Sequence, residues 1–231
     1  MIGAGLFLNI APTAKVASYS LILGLIMASS LAFANASSSA QLARLYPETG
    51  GTYLYAKNVL GKIPSLIAGY SFIIGKCISC IAIALTLGNY LSPMYPEYSG
   101  IIVILIVAGI SYFGITKTVA IAKWFVYSLV GILLFYIISI TSSETFSIQI
   151  PITDGLTLKG FLLSSCIWFF AFTGYSRLAT FGEEVKNPEK IIPKAIFTGL
   201  GLTVLIYLSV SWTTLGIISP EIIENSLTPL K

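Results

Sequence analysis

The sequence predicts an all-α, polytopic membrane protein of about seven transmembrane segments. Apolar runs of about twenty residues, the length a helix needs to cross the hydrocarbon core, recur along the whole chain, so they are not a cleavable leader. Of the 231 residues, 56% are hydrophobic and 10% charged, against about a quarter charged in a soluble domain; the mean hydropathy is +0.90. Two of the runs, the first and the sixth, are interrupted by glycine and small polar residues.

The first segment carries I-G-A-G-L-F at Ile2 to Phe7. Gly3 and Gly5 permit close approach of a ligand, so a short unwound stretch there can point amides at an anion. The second segment, about Ser18 to Leu42, is crowded with alanine and serine, which lets backbones approach and suits the centre of a bundle. Arg44 to Lys62 holds Arg44, Lys57 and Lys62 around P-E-T-G-G and is expected on the cytoplasmic side by the positive-inside rule. The third segment, about Ile63 to Leu91, contains Lys76 far from either end. An intramembrane lysine faces a polar cavity, finds a partner, loses its proton or snorkels to the surface, and no carboxylate lies in any apolar run to pair with it.

Ser92 to Gly100 is a loop without Lys or Arg, expected outside. The fourth segment is placed at about Ile101 to Ile115 and the fifth at Trp124 to Ile140, with Lys117 and Lys123 between them inside. Ser142 to Gly155 is acidic and expected outside. The sixth segment runs through S-S-C-I-W-F-F-A-F-T-G-Y-S, where Thr173, Gly174, Tyr175 and Ser176 interrupt an apolar aromatic run. Backbone freed by such a break is tolerated in a bilayer only where it lines a cavity or binds something, which makes the break a candidate site. A charged loop with Glu183, Glu184, Lys186, Lys190 and Lys194 follows, expected inside, then a seventh segment at about Ile196 to Ile218. Lys15 and Lys159 are the exceptions to this alternation.

Several function classes are excluded by residue content. Histidine is absent and three cysteines are present, which removes histidine-dependent triads and most zinc sites. Cys77, Cys80 and Cys166 lie in apolar helices, where the thiolate is disfavoured, and read as helix filler. The net charge of +4 resides in loops and describes no nucleic-acid surface. No enzyme, metal or cofactor is expected. Broken helices at corresponding positions, five segments apart, point instead to an inverted-repeat transporter with its site near the bilayer midplane. A seven-helix receptor or photosensor is the alternative, but a retinal protein needs a lysine in the last helix, and Leu200 to Ile218 has none.

Five ordered motifs, I-G-A-G-L-F, Y-P-E-T-G-G-T-Y-L-Y (Tyr46 to Tyr55), F-F-A-F-T-G-Y-S (Phe169 to Ser176), G-E-E-V-K-N-P (Gly182 to Pro188) and I-P-K-A (Ile192 to Ala195), resemble the amino acid permeases of the amino acid-polyamine-organocation superfamily. The resemblance implies a partial leucine-transporter-type fold. Residues 1–145 would be a first five-helix repeat lacking the cytoplasmic half of its first helix, and 155–231 the first two helices of a second repeat. Either Met1 is then an internal methionine or the gene is truncated; a transport-inactive fragment is the corresponding alternative, and another chain would have to supply missing helices.

The resemblance further implies transport of an amino acid by proton-coupled symport or exchange in the cell membrane. The carboxylate would rest on the amides of Gly3, Ala4 and Gly5, and the ammonium on carbonyls near Ile2 and at Phe169, Ala171 and Phe172. Phe170 would act as an aromatic gate, and Thr173 and Gly174 would border the side-chain pocket. Ser176 stands where many relatives carry Asp or Glu, which favours a neutral substrate. Relatives that carry protons on a lysine have it on the fifth helix; this chain has none there, leaving Lys76 as the proton carrier.

Overall fold

A computed structural model describes residues 2–112, 115–144, 146–147 and 150–224, with the backbone alone for Ala4 and for residues 115–117. Met1, Thr145, Ile148, Gln149, the side chain of Lys117 and the stretch from Asn225 to Lys231, all within segments read above, lie outside the described residues. The elements are helices throughout: α1 (Ala4–Ala17), α2 (Leu21–Leu45), α3 (Thr52–Leu60), α4 (Lys62–Leu91), α5 (Pro96–Tyr112), α6 (Ile115–Thr141), α7 (Leu158–Phe172), α8 (Tyr175–Leu178), α9 (Pro188–Leu215) and α10 (Pro220–Glu224). Gly5–Leu45, Lys62–Leu91, Thr118–Thr141, Leu158–Leu178 and Pro188–Leu215 are long and apolar enough to cross a bilayer. The first of these holds both α1 and α2, and α5 is a shorter apolar helix. The protein is therefore an all-α polytopic membrane protein.

Local chemistry moves several boundaries from those expected. The fourth and seventh segments begin early, at Pro96 and Pro188, because proline suits the first helical position, where no amide is needed. The fifth begins at Ile115, well before Trp124. The stretch Arg44 to Lys62, expected as a loop, contains α3, delimited by Gly51 (φ 52°) and Gly61 (φ 95°). The short α10 was not expected either. Ser18, at φ 48°, opens the 3-10 turn that separates α1 from α2.

The core forms around α7. Asn9 Nδ2 donates to the Ile167 carbonyl at 3.0 Å, and Gly5 abuts Ala171, so α7 runs antiparallel to α1. Gly24 abuts Ser164 and Asn35 pairs with Tyr175, so α2 runs in the same direction as α7. The α1–α2 hairpin thus forms a groove filled by α7. The α2 surface is a buried ladder, Leu21, Leu25, Ala28, Ala32, Ala36, Ala40 and Ala43. Its small side chains allow α7 on one side and α9 on the other to approach closely. The α9 helix is fixed by Phe33 against Phe197 (5.5 Å) and by a 3.0 Å hydrogen bond between the Tyr136 and Thr214 hydroxyls. Outside this core, α4, α5 and α6 present exposed Ile, Leu, Val and Phe along most of their length, as helices facing lipid or further helices do.

Two loops on one side of the bundle clasp each other. The Glu183 amide donates to the Thr49 hydroxyl at 3.2 Å. A Cβ at Gly182 would come within 2.5 Å of the Pro47 and Glu48 carbonyls, so only glycine fits. The clasp joins the motif after α2 to the motif after α8.

Candidate functional site

The beginning of α1 and the end of α7 meet. Gly3 precedes α1 in extended conformation, and no side chain caps the helix. The amides of a first helical turn have no acceptor within the helix and form the positive end of its dipole. From the opposite direction α7 stops at Phe172. A Cβ at Gly5 would lie 2.9 Å from Ala171 Cα and 3.2 Å from the Tyr207 hydroxyl. Glycine at this position is what allows the positive end of one helix to touch the negative end of the other.

The α7 break is a tightening of the helix. Thr173 and Gly174 both keep right-handed helical dihedrals (φ −64°, ψ −2° and φ −60°, ψ −21°). The Thr173 amide bonds to Phe170 at 3.4 Å, the Ser176 amide to Thr173 at 3.2 Å and the Arg177 amide to Gly174 at 3.3 Å. Each is an i→i−3 bond, so the Thr173 and Ser176 amides turn away from the Phe169 and Phe172 carbonyls that an α-helix would give them, while the Thr173 carbonyl takes the Ser176 amide instead. The side-chain hydroxyls reinforce the turn: Thr173 Oγ1 donates to Phe170 at 2.8 Å and Ser176 Oγ to Thr173 at 2.8 Å. Carbonyls released in this way sit at the negative end of α7 and suit a cation.

The residues singled out in the sequence divide between faces. Gly5 and Ala171 touch, beside Gly3, Leu6 and Tyr207. Phe172 is fully buried on the Tyr207 ring, with centroids 5.6 Å apart. Phe169 and Phe170 line a separate groove of about 500 Å³ with Met27, Leu31 and Asn35, and Phe170 is 73% exposed. Ile2 lines another cavity, of about 490 Å³, against α5 and α6. The Ala4 side chain lies outside the described residues. Lys76 Nζ sits 5.4 Å from the Phe72 ring centroid on its own helix. The ring contact joining α4 to α1 is Phe7 on Tyr90, fourteen residues and hence about 21 Å along α4 from Lys76.

Tyr207 stands at this helix junction, although its place there is not directly evident from the sequence. Its side chain is fully buried and its hydroxyl lies against the backbone of Gly3 and Leu6, yet has no hydrogen bond of ordinary geometry. Trp168, whose ring is 6.1 Å away, also has an unpartnered indole N–H. A signal existed in the sequence: Thr203, Tyr207, Ser211 and Thr214 form a polar stripe at helical spacing, and all four are buried. The atoms nearest Gly5 belong to Ala171 and Tyr207, so the polar groups found at this contact are the two helix ends and the Tyr207 hydroxyl.

A family model described as amino acid permease matches residues 1–227. An uncharacterized transporter of Mycobacterium tuberculosis is 36% identical over 235 residues, covering 100% of this chain and 52% of the relative. The serine/threonine exchanger SteT of Bacillus subtilis is 26% identical over 238 residues, 95% of this chain and 52% of its own. A methylthioribose transporter of the same organism is 23% identical over 242 residues, 94% of this chain and 52% of its own. The chain spans about half the length of the curated relatives it matches.

Proposed function

The chain belongs to the amino acid permease family, and from that premise we propose that it carries the substrate-binding junction of a transporter for neutral amino acids. The observation that carries this reading is the contact of Gly5 with Ala171, which brings the positive end of α1 onto the negative end of α7. A zwitterion satisfies both ends at once: carboxylate on the amides of Gly3, Ala4 and Gly5, ammonium on the carbonyls of Phe169, Ala171 and Phe172, with Ile2 at the edge. Thr173, Gly174 and Ser176 border the substrate side chain, and Phe170 swings over it as a gate. The Tyr207 hydroxyl is a further donor for the carboxylate.

The remaining elements of the reading rest on the family, on the placement of lysines in the connecting stretches and, for the proton carrier, on Lys76 being this chain's intramembrane lysine in the third segment. Residues 1–145 and 155–231 form one five-helix repeat and the start of its inverted partner, and the antiparallel packing of α1 and α7 supports that relation. Further helices, from the rest of a longer chain or from a partner, complete the bundle. The Arg44–Lys62 stretch, with α3, and the Glu183–Lys194 stretch, with the start of α9, lie in the cytoplasm; the Thr49–Glu183 clasp supports their sharing a side. Transport is symport or exchange by alternating access, with Lys76 as proton carrier.

The test is uptake of radiolabelled neutral and cationic amino acids, and of a neutral thio-sugar, into proteoliposomes across a pH gradient. Saturable uptake of neutral amino acids that Gly5→Leu abolishes is expected. Preference for the uncharged sugar would sink the zwitterion reading, since a molecule with no charged ends gains nothing from the two helix termini.

A further inference from the structure

A cavity of about 380 Å³ lies on the outer side of the bundle, between α3 and α4 and away from the α1–α7 junction. Its apolar wall is Leu66, Tyr70, Phe72 and Ile73 on α4, and its opposite wall is Tyr53 on α3. The Tyr53 ring packs at Gly69, and α3 turns into α4 at Gly61, so the two helices form a short hairpin. Lys57 lies one turn beyond Tyr53, and Lys62 one turn before Leu66. Residues four apart share a helix face, so both lysines stand at the hairpin end of this cavity. Both are exposed.

We propose that this cavity binds one anionic glycerophospholipid of the surrounding bilayer, with an acyl chain on Leu66, Tyr70, Phe72 and Ile73 and the phosphate on Lys57 and Lys62. The occupant is identified by the gradient of chemistry along the hairpin. Two ammonium groups mark one end, two tyrosines suited to the headgroup level mark the middle, and hydrocarbon continues along α4 into a membrane span. Lys76, over the Phe72 ring, is a cation on that apolar wall and is left unchanged in the variants below. A zwitterionic lipid fits the apolar wall equally well but is not favoured by the lysines. Gly50 and Thr180, one from each loop of the clasp, also line the cavity, so a bound chain braces the clasp.

The experiment is photocrosslinking in phosphatidylcholine nanodiscs, using phosphatidylglycerol and phosphatidylcholine analogues that carry a diazirine in the acyl chain, with labelled peptides mapped by mass spectrometry. Peptides containing Tyr53 and Tyr70 are expected to label preferentially with the phosphatidylglycerol analogue, by a factor of roughly five for each lysine. The double variant Lys57→Gln with Lys62→Gln brings that labelling down to the phosphatidylcholine level. Ile73→Trp, which fills the cavity and leaves both lysines in place, lowers labelling by both analogues while the melting temperature stays unchanged. Equal labelling by the two analogues, or indifference to the double variant, reduces the cavity to ordinary annular contact and overturns the proposal. So does absence of label on these peptides, the result expected if another protein segment covers the cavity. None of these readouts depends on which substrate is transported.

Discussion

Gly5, Tyr207, Lys76 and Tyr55 test the chemistry residue by residue. Gly5→Val puts side-chain atoms where Ala171 and the Tyr207 hydroxyl already stand, 2.9 and 3.2 Å from a Cβ. Overpacking of this kind costs about 1–3 kcal/mol, so a lowered melting temperature with loss of substrate-induced stabilisation is expected in a thermal-shift assay. Tyr207→Phe separates structure from binding. The native hydroxyl is buried without a partner, so its removal leaves stability unchanged or slightly raised, while the KM for uptake rises if the hydroxyl serves the carboxylate. An unchanged KM would restrict Tyr207 to packing. Lys76→Met is expected to flatten the pH dependence of uptake, and a retained profile would remove this lysine from the coupling. Tyr55, outside the spanning segments, has a pKa raised above the ordinary 10.0 because burial disfavours its phenolate. The folded state then holds this proton more tightly than the unfolded state, so the stabilisation is complete below pH 10 and is lost as pH rises above it. Tyr55→Phe should show a smaller fall in melting temperature above that pH.

Elements act through their contacts, and the clasp and the α2 ladder are the clearest cases. Gly182→Ala places a methyl group 2.5 Å from the Glu48 and Pro47 carbonyls, and backbone on both sides leaves no flexible group to yield. The expected result is separation of the two loops, seen as faster proteolysis at residues 47–51, with the core transition unchanged. At the centre of α2, Ala36 is fully buried in the packed core; Ala36→Leu should lower the melting temperature markedly. The break after α7 behaves as an element too. Its i→i−3 bonds keep the chain helical in sense while releasing the Phe169 and Phe172 carbonyls, so a tightened helix exposes acceptors with little loss of rigidity.

For the whole molecule the prediction is topological. With Cys77, Cys80 and Cys166 replaced by serine, an impermeant thiol reagent should reach Thr49→Cys and Glu184→Cys from the same side of a sealed vesicle, and Tyr95→Cys from the other. Thr49 and Glu184 belong to the two clasped loops, and the 30-residue α4 separates them from Tyr95. Labelling of all three from one side would contradict a spanning α4. The helical class, the membrane setting, the family motifs and the Thr173–Gly174 break were legible in the sequence, because apolar length, charge placement and glycine interruption are local properties. α3 and α10 were harder to read, being too short to show an apolar period, and the early helix starts at Pro96 and Pro188 were hidden under loop-like polarity. Tyr207 escaped because a tyrosine in an apolar helix declares itself only when its neighbours are known. What the sequence by itself determined is that the chain is a series of apolar helices and where one of them is interrupted. Its apolar runs number about seven, whereas among the described residues five helical stretches are long and apolar enough to span, the first holding both α1 and α2. Only the tertiary structure decided that Ala171 rather than Phe170 meets Gly5, that Tyr207 completes the junction and that the two loops clasp. Those are contacts between residues far apart in the chain, fixed by the packing of α7 into the α1–α2 groove and not by the composition of any one helix.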